Sequence, residues 1–159
     1  MLQRTDHNPV ATRRVLLRAS LAALGLALPS WLLAADEDGR ARAAAAQAKV
    51  LDGRTPVTDG LRLTTPAIAE NGNTVPIAVE VAGPFTAENY VKAIHVFAED
   101  NPAPEVVSFH FTPRSGKAKV ATRIRLARTQ RVVALAEMSD GRVLAAANEV
   151  KVTIGGCGG

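Results

Sequence analysis

The sequence predicts an all-β protein: an antiparallel, immunoglobulin-like β-sandwich of about seven strands, with a short N-terminal helix and a flexible C-terminal arm. Two observations support this fold class. From about residue 61 onward, short segments alternate apolar with polar residues, which is the two-residue period of a half-buried strand. Glycine, proline and asparagine separate these segments at short intervals, as in sandwiches built largely from hairpins. The length of 159 residues suits one such domain after a leader segment.

Residues 1–35 are expected to form an export signal that is not part of the fold. Arg13 and Arg14 form an arginine pair, and hydrophobic residues and a further basic residue follow, which is the arrangement of a twin-arginine signal. The apolar run at 19–33 contains Pro29 and is about fifteen residues long, shorter than the roughly 20 that span a bilayer. We therefore expect export to the periplasm by the twin-arginine route and no permanent membrane anchor.

The leader also accounts for most of the formal net charge of +4. It holds four arginines and one aspartate, a net charge of +3, so about +1 remains for the rest of the chain. The single Trp lies in the leader and only one Tyr is present, which argues against a nucleic-acid partner that stacks its bases on aromatic rings. A basic cluster remains, and its residues either meet an anionic partner or substrate or are solvated strand positions. The cluster consists of Lys117, Lys119, Arg123, Arg125, Arg128 and Arg131.

The secondary-structure elements follow in order after the leader. Residues 36–56 are expected to be an Ala-rich helix or linker, because Asp52-Gly53 places a glycine where helices commonly end. Residues 57–154 are expected to form the sandwich. Its clearest strand is 75–81, in which Pro76 suggests a sheet edge or a strand start. The other expected strands are 61–65, 94–98, 107–111, 120–126, 130–138, 142–147 and 150–154.

Residues that could carry catalysis are few. Outside the leader the histidines are His95 and His110, both in expected strands. Two histidines on neighbouring strands could hold a metal, but the sequence offers no third ligand. The chain has no P-loop, nucleophile elbow or C-x-x-C motif. We therefore expect no catalytic residue, no metal and no cofactor.

The most informative residue is the sole cysteine, Cys157, which has two glycines on each side. Glycine adopts conformations that other residues avoid, so residues 155–159 are expected to be a flexible arm that presents the thiol. No lysine, arginine or histidine lies close to Cys157 in sequence, so the sequence supplies no local activator of the thiol. The glycines of the arm are Gly155, Gly156, Gly158 and Gly159.

Several segments together carry a resemblance to a known family. They are VTIGGCGG at 152–159, IAENG at 68–72 with VP at 75–76, NP at 101–102 with SFHF at 108–111, and TRIR at 122–125. With these segments the chain resembles the SoxY family, the sulfur-compound carriers of bacterial thiosulfate oxidation. The resemblance extends over the chain after the leader, and its most specific part is the last strand with the pentapeptide around Cys157.

The resemblance implies that Cys157 carries sulfur covalently, first as a thiosulfonate and then as sulfane sulfur, and presents it to the enzymes of the Sox system in the periplasm. The chain would then be a non-catalytic subunit in a heterodimer with a SoxZ-like protein. The resemblance also implies three transient partners: a haem c enzyme that joins thiosulfate to the thiol, a manganese hydrolase that releases sulfate, and a molybdenum–haem dehydrogenase that oxidises the sulfane sulfur.

Two other functions stay open. The chain could be an exported β-sandwich binding module whose Cys157 forms an intersubunit disulfide. It could also be a sulfur carrier that works through a C-terminal thiocarboxylate, since ubiquitin-like carriers also end in Gly-Gly. The export signal and the absence of a predicted central helix argue against the thiocarboxylate function.

Overall fold

A computed structural model describes residues 31–156, with side chains from residue 39 onward. Five residues of the predicted site and signal, Arg13, Arg14, Cys157, Gly158 and Gly159, therefore lie outside the described residues. The described part contains one α-helix, eight strands and a 3₁₀ turn. In chain order these are α1 (Trp31–Leu51), β1 (Leu61–Thr64), β2 (Ile68–Asn71), β3 (Val75–Val81), β4 (Val91–Ala98), β5 (Glu105–His110), the 3₁₀ turn (Pro113–Ser115), β6 (Lys119–Ile124), β7 (Gln130–Met138) and β8 (Val143–Ile154).

The strands form two sheets, which confirms the predicted all-β sandwich. The smaller sheet has the order β1-β3-β6, and the larger has the order β2-β8-β7-β4-β5. Each strand pair is antiparallel except β2 and β8, which run parallel with Asn71 opposite Ile154. The purely antiparallel arrangement that the sequence predicted thus needs one correction, at the edge of the larger sheet.

The core lies between the two sheets, where the alternating pattern placed it. In β3, Val75 and Val79 are buried while Glu80 on the opposite face is exposed. Val75 and Val79 belong to the same buried cluster as Ile94 of β4 and Val132 of β7, which lie in the other sheet. Burying a side chain of this size contributes about 1.5–3 kcal/mol, so the contact between the sheets holds the sandwich together without an internal disulfide.

Helix α1 covers part of the outer face of the larger sheet. Ala46 packs in a second buried cluster with Phe97 of β4 and with Val133 and Leu135 of β7. The outward residues of these strands are apolar because the helix shields them from water. Among residues 31–156, no helix is both long enough and apolar enough to cross a membrane.

The start of helix α1 differs from the sequence prediction, whereas its end agrees with the prediction. The helix begins at Trp31, before residue 36 where the helical segment was expected to start. It ends at Leu51, and Asp52 and Gly53 follow with φ angles of 47° and 73°. Asp52 is the first residue in the left-handed conformation and Gly53, which tolerates it readily, is the second, so the predicted helix end at Asp52-Gly53 is confirmed.

Two strands differ from the prediction. Strand β2 was missed because only Ala69 of its four residues is buried, so it shows no alternation; pairing with β8 defines it instead. The expected strands 142–147 and 150–154 are a single strand, β8. Its polar residues Asn148 and Glu149 interrupt the apolar pattern, yet they stay paired with β7.

Pro76 lies in the middle strand of the smaller sheet but behaves locally as the predicted edge residue. It is the second residue of β3 and is paired with Arg123 of β6. Strand β1 pairs with β3 only from Ala78 to Val81, so its ladder stops before Pro76. The missing N–H of Pro76 therefore costs no hydrogen bond to β1.

Candidate functional site

Three backbone segments meet immediately before Cys157, and we call this meeting point the three-segment junction. It consists of the β2–β3 turn, the β6–β7 loop and the two residues after β8. The amide of Gly72 donates to the carbonyl of Ile154 at 2.7 Å, and the amide of Leu126 donates to the carbonyl of Gly72 at 2.8 Å. The amide of Gly156 then donates to the carbonyl of Leu126 at 2.9 Å. The residue before Cys157 is thus hydrogen-bonded to the sandwich.

The junction requires glycine because the neighbouring backbone leaves no space for a Cβ atom. A Cβ added to Gly72 would overlap the carbonyl oxygen of Leu126, and one added to Gly155 would overlap that of Ala127. A Cβ on Gly156 would lie 2.8 Å from the carbonyl oxygen of Gly72, closer than real Cβ atoms approach. The backbones can therefore hydrogen-bond closely only because these three residues have no side chain.

This arrangement bears on the first two residues of the arm predicted at 155–159, while the flexibility of residues 157–159, which lie outside the described residues, stays a prediction. The sequence suggested that the glycines serve mobility, whereas Gly155 and Gly156 pack against the β6–β7 loop and Gly156 is buried. The physical reason is that the same missing Cβ that gives glycine its freedom also lets two backbones approach. Local sequence cannot distinguish these two uses of glycine.

A buried polar network fixes the β6–β7 loop. Asn101, only 2% exposed, donates from Nδ2 to the carbonyl of Arg125 at 2.9 Å and accepts from the amide of Ala127 at 3.0 Å. Gln130, 3% exposed, donates from Nε2 to the same Oδ1 atom of Asn101 at 2.8 Å. These bonds bracket Leu126, the residue that holds Gly156. Since buried amides are costly to leave unpaired, the network favours one conformation of the loop.

The network continues to helix α1. The Oε1 atom of Gln130 accepts from the amide of Asp100 at 2.8 Å, and the buried carboxylate of Asp100 pairs with Arg40 of the helix at 2.7 Å. Sequence analysis missed Asn101 and Gln130 as site residues. The single hint was that Asn101-Pro102 belongs to the segments that carry the family resemblance.

The basic cluster divides into neutralised and uncompensated positions. Lys119 forms an ion pair with Glu80 at 3.2 Å. Arg131 lies directly opposite Glu149 on the neighbouring strand. Arg123 and Arg125 are exposed, and no carboxylate of the described residues pairs with either. The uncompensated charge thus lies at the end of β6 that enters the junction.

The histidines form a separate polar group on the outer face of the larger sheet. The rings of His95 and His110 lie 6.3 Å apart, edge to face. His95 contacts Ser108 Oγ through Nδ1 at 2.8 Å and Glu137 Oε1 through Nε2 at 3.1 Å, so both ring nitrogens are engaged. Residues 39–156 contain no group of three His, Cys, Asp or Glu side chains that could hold a metal.

Glu137 links this polar group to the end of helix α1. Its second carboxylate oxygen accepts from Arg54 at 3.3 Å. Burial raises the pKa of Glu137, but the hydrogen bonds and charges of His95 and Arg54 outweigh burial, so its pKa lies below the ordinary value. Glu137 lies near the end of β7 opposite to Gln130, so this group is remote from the junction.

The family comparison covers the sandwich, the junction and the cysteine together. The family model described as "Sulfur oxidation protein SoxY" matches residues 35–157. The chain belongs to the SoxY family. The resemblance found in the sequence is therefore confirmed. Comparison with curated proteins gives no match.

A solved SoxY structure has the same architecture. The sulfur carrier protein SoxY from Chlorobium limicola f thiosulfatophilum is 33% identical, with 72% of this chain and 98% of that chain covered and a TM-score of 0.58. A superoxide reductase (neelaredoxin) from Ignicoccus hospitalis is 18% identical, covers 60% of this chain and 81% of its own, and has a TM-score of 0.53. A hypothetical protein from Pyrococcus horikoshii is 14% identical, covers 62% and 97%, and has a TM-score of 0.51. The last two show a shared fold alone.

In this SoxY chain the described structure fixes the point from which Cys157 extends. Gly156 is hydrogen-bonded to Leu126, Leu126 is bracketed by the Asn101 network, and Asn101 lies in the loop between β4 and β5. The position of Gly156, the residue before Cys157, is therefore set by both sheets and not by the last strand alone.

Proposed function

We propose that this protein is a covalent carrier of sulfur intermediates in thiosulfate oxidation, with Cys157 as the attachment site. The observation that carries the proposal is the junction beside Cys157, where Gly72, Leu126 and Gly156 anchor the backbone within one residue of the only thiol. Membership of the SoxY family supports a role in sulfur oxidation. The relative from Chlorobium is itself described as a sulfur carrier protein.

The proposed cycle begins when a haem c enzyme joins the Cys157 thiolate to the sulfane sulfur of thiosulfate and removes two electrons. The product is a thiosulfonate on the cysteine. A manganese hydrolase then releases sulfate with water, and a sulfane dehydrogenase oxidises the sulfur that remains before a final hydrolysis restores the thiol. Catalysis belongs to these partners, so we propose that the carrier subunit has no catalytic residue of its own.

The location and the stable partner are part of the same proposal. Arg13 and Arg14 support export by the twin-arginine route, which would place the carrier in the periplasm. A SoxZ-like subunit would form a heterodimer with the sandwich. This would be consistent with the exposed apolar side chains of Ile68 and Ile154, which are 60% and 66% exposed on neighbouring strands of the sheet edge.

Intact-mass measurement of the protein from cells grown on thiosulfate tests the proposal. A carrier gains the mass of sulfane sulfur or of a thiosulfonate on Cys157, and reduction with a thiol reagent removes the addition. A binding module with an intersubunit disulfide instead doubles in mass, and a thiocarboxylate carrier exchanges a terminal oxygen for sulfur.

The genetic control replaces Cys157 with serine, which preserves size and removes the nucleophile. A strain with Cys157→Ser should make the protein at the normal level but fail to oxidise thiosulfate. Normal thiosulfate oxidation by that strain would contradict the carrier function.

A further inference from the structure

Positive charge without a partner lies next to the junction. Arg123 and Arg125 have exposed side chains and form no ion pair with the described carboxylates. At the start of β6, Lys119 is neutralised by Glu80 at 3.2 Å. The arginines that approach the junction are thus available to an external anion.

Arg125 is tied to the vicinity of Cys157 through the backbone. Its own carbonyl accepts from Asn101 at 2.9 Å, and the carbonyl of the next residue, Leu126, holds the amide of Gly156 at 2.9 Å. Cys157 is the next residue in the sequence after Gly156. A single hydrogen bond therefore joins the loop segment that contains Arg125 to the segment that leads to Cys157.

Arg123 also lines an open groove on the protein surface. The groove has a volume of about 490 Å³, and Thr64, Pro76 and Arg123 are among its lining residues. It exists because β1 stops at Thr64 and leaves the start of β3 uncovered. A guanidinium group and a threonine hydroxyl are both hydrogen-bond donors to the oxygens of an anion.

We propose that Arg123 and Arg125 bind the oxyanion end of the sulfur compound that reacts with, or is attached to, Cys157. The ligand class is a sulfur oxyanion such as thiosulfate or its thiosulfonate adduct, whose charged oxygens suit a guanidinium fork. The inference rests on the proposed carrier function and names how this chain recognises its cargo. Because the site is on the surface, its attraction is modest and is screened by salt.

Thiol-labelling kinetics test the site on the purified, reduced protein. Two methanethiosulfonate reagents are compared, the anionic 2-sulfonatoethyl reagent and the neutral methyl reagent. In both reactions the thiolate of Cys157, the only cysteine, displaces methanesulfinate and forms a disulfide. The neutral reagent reports the reactivity of the thiolate itself, so the ratio of the two rates isolates the attraction of the anionic group.

The double variant Arg123→Gln with Arg125→Gln should lower the anionic-to-neutral rate ratio by about three- to tenfold at low salt. The difference should disappear near 1 M salt, where the Debye length is about 3 Å. Arg125→Lys should retain only part of the ratio, because an ammonium group keeps the charge but not the guanidinium fork. The matched control is Arg114→Gln, which removes one exposed charge beyond the opposite end of β6 and should leave the ratio unchanged.

Equal ratios in the unmodified protein and in the double variant would overturn the inference. A loss of the same size in Arg114→Gln would also overturn it, because only net charge would then matter. The assay requires no sulfur-oxidising enzyme, so its result is distinct from that of the proposed function. Absence of sulfur on Cys157 in cells would reject the carrier function while leaving the measured ratios intact.

Discussion

The side-chain amide of Asn101 donates to the carbonyl of Arg125 at 2.9 Å, so a buried residue between β4 and β5 holds the loop that contacts Gly156. The two residues lie far apart in sequence, and neither belongs to the last strand. The conformation of the backbone beside Cys157 therefore depends on a residue near the middle of the chain.

Removal of the Asn101 side chain should destabilise the protein. Asn101→Ala leaves the amide of Ala127 and the carbonyl of Arg125 without their partners, and we expect a loss of about 2–4 kcal/mol in the free energy of unfolding. Urea denaturation measures this loss. Asn148→Ala serves as the control, since Asn148 is a half-buried residue of β8 that donates to the carbonyl of Leu63 and to the hydroxyl of Thr65 instead of holding the junction.

Hydrogen exchange separates a local role of Asn101 from a global one. In Asn101→Ala the amides of Leu126 and Gly156 should exchange faster relative to the other protected amides of the sandwich. Uniform acceleration at all amides would contradict a specific role in holding the β6–β7 loop.

Added methyl groups should distinguish a packed glycine from a free one. Gly155→Ala should lower the free energy of unfolding by about 1–3 kcal/mol or displace the segment after β8, because the new Cβ overlaps the carbonyl of Ala127. Gly39→Ala is the matched control. Its Cβ would lie 3.7 Å from the nearest atom, an ordinary contact, and alanine in helix α1 should stabilise by about 0.5–1 kcal/mol. Equal tolerance of both substitutions would contradict close packing at Gly155.

The carboxylate of Glu137 should make stability depend on pH. Burial raises its pKa, but the hydrogen bonds from His95 and Arg54 lower it further, so its folded pKa lies below the unfolded value of about 4.3. A lowered folded pKa means that the stabilisation is complete above the unfolded pKa and is lost as pH falls through the folded pKa. The stability difference between the unmodified protein and Glu137→Gln should therefore shrink from pH 6 to pH 3 in denaturant titrations. A difference that is constant over this range would refute the ionised pair.

Arg54 should fasten the end of helix α1 to the sheet. It donates to the carbonyls of Val50 and Leu51 at 2.7 and 2.8 Å and to the carbonyl of Gly141 at 3.1 Å. Arg54→Ala should speed hydrogen exchange in the last turn of the helix while leaving β3 protected. Arg54→Lys should restore little, because an ammonium group cannot reproduce the planar fork.

Much of the fold could be predicted because local patterns determine it. Alternation located β3 and β6, and Asp52-Gly53 located the end of helix α1. Strand β2 was not predictable in this way, since it has one buried residue and takes its structure from β8.

The sequence predicted which residue carries the reactive thiol, but it did not predict the contacts that hold the backbone next to that residue. The lone Cys157 and its family resemblance identify the thiol from the sequence. The contacts among Gly72, Leu126 and Gly156 join residues far apart in the chain, and no local pattern encodes them. The role of Asn101 has the same origin, because a polar residue after a strand predicts a turn equally well whether it is exposed or buried.

The anchoring of Gly156 also limits how far the sulfur can travel into another protein. If free movement began at Gly155, the sulfur could lie on the order of 13 Å from Ile154, because three residues lead from Ile154 to Cys157. If it began only at Cys157, the sulfur could lie on the order of 6 Å from Gly156. A visiting enzyme must then either place its reactive centre close to the surface that receives the sandwich, or break the Gly156–Leu126 hydrogen bond at a net cost of about 0.5–1.5 kcal/mol. An enzyme with a shallow pocket could reach the sulfur while the Gly156–Leu126 hydrogen bond stays intact. An enzyme with a deep pocket could reach it only after that hydrogen bond has broken.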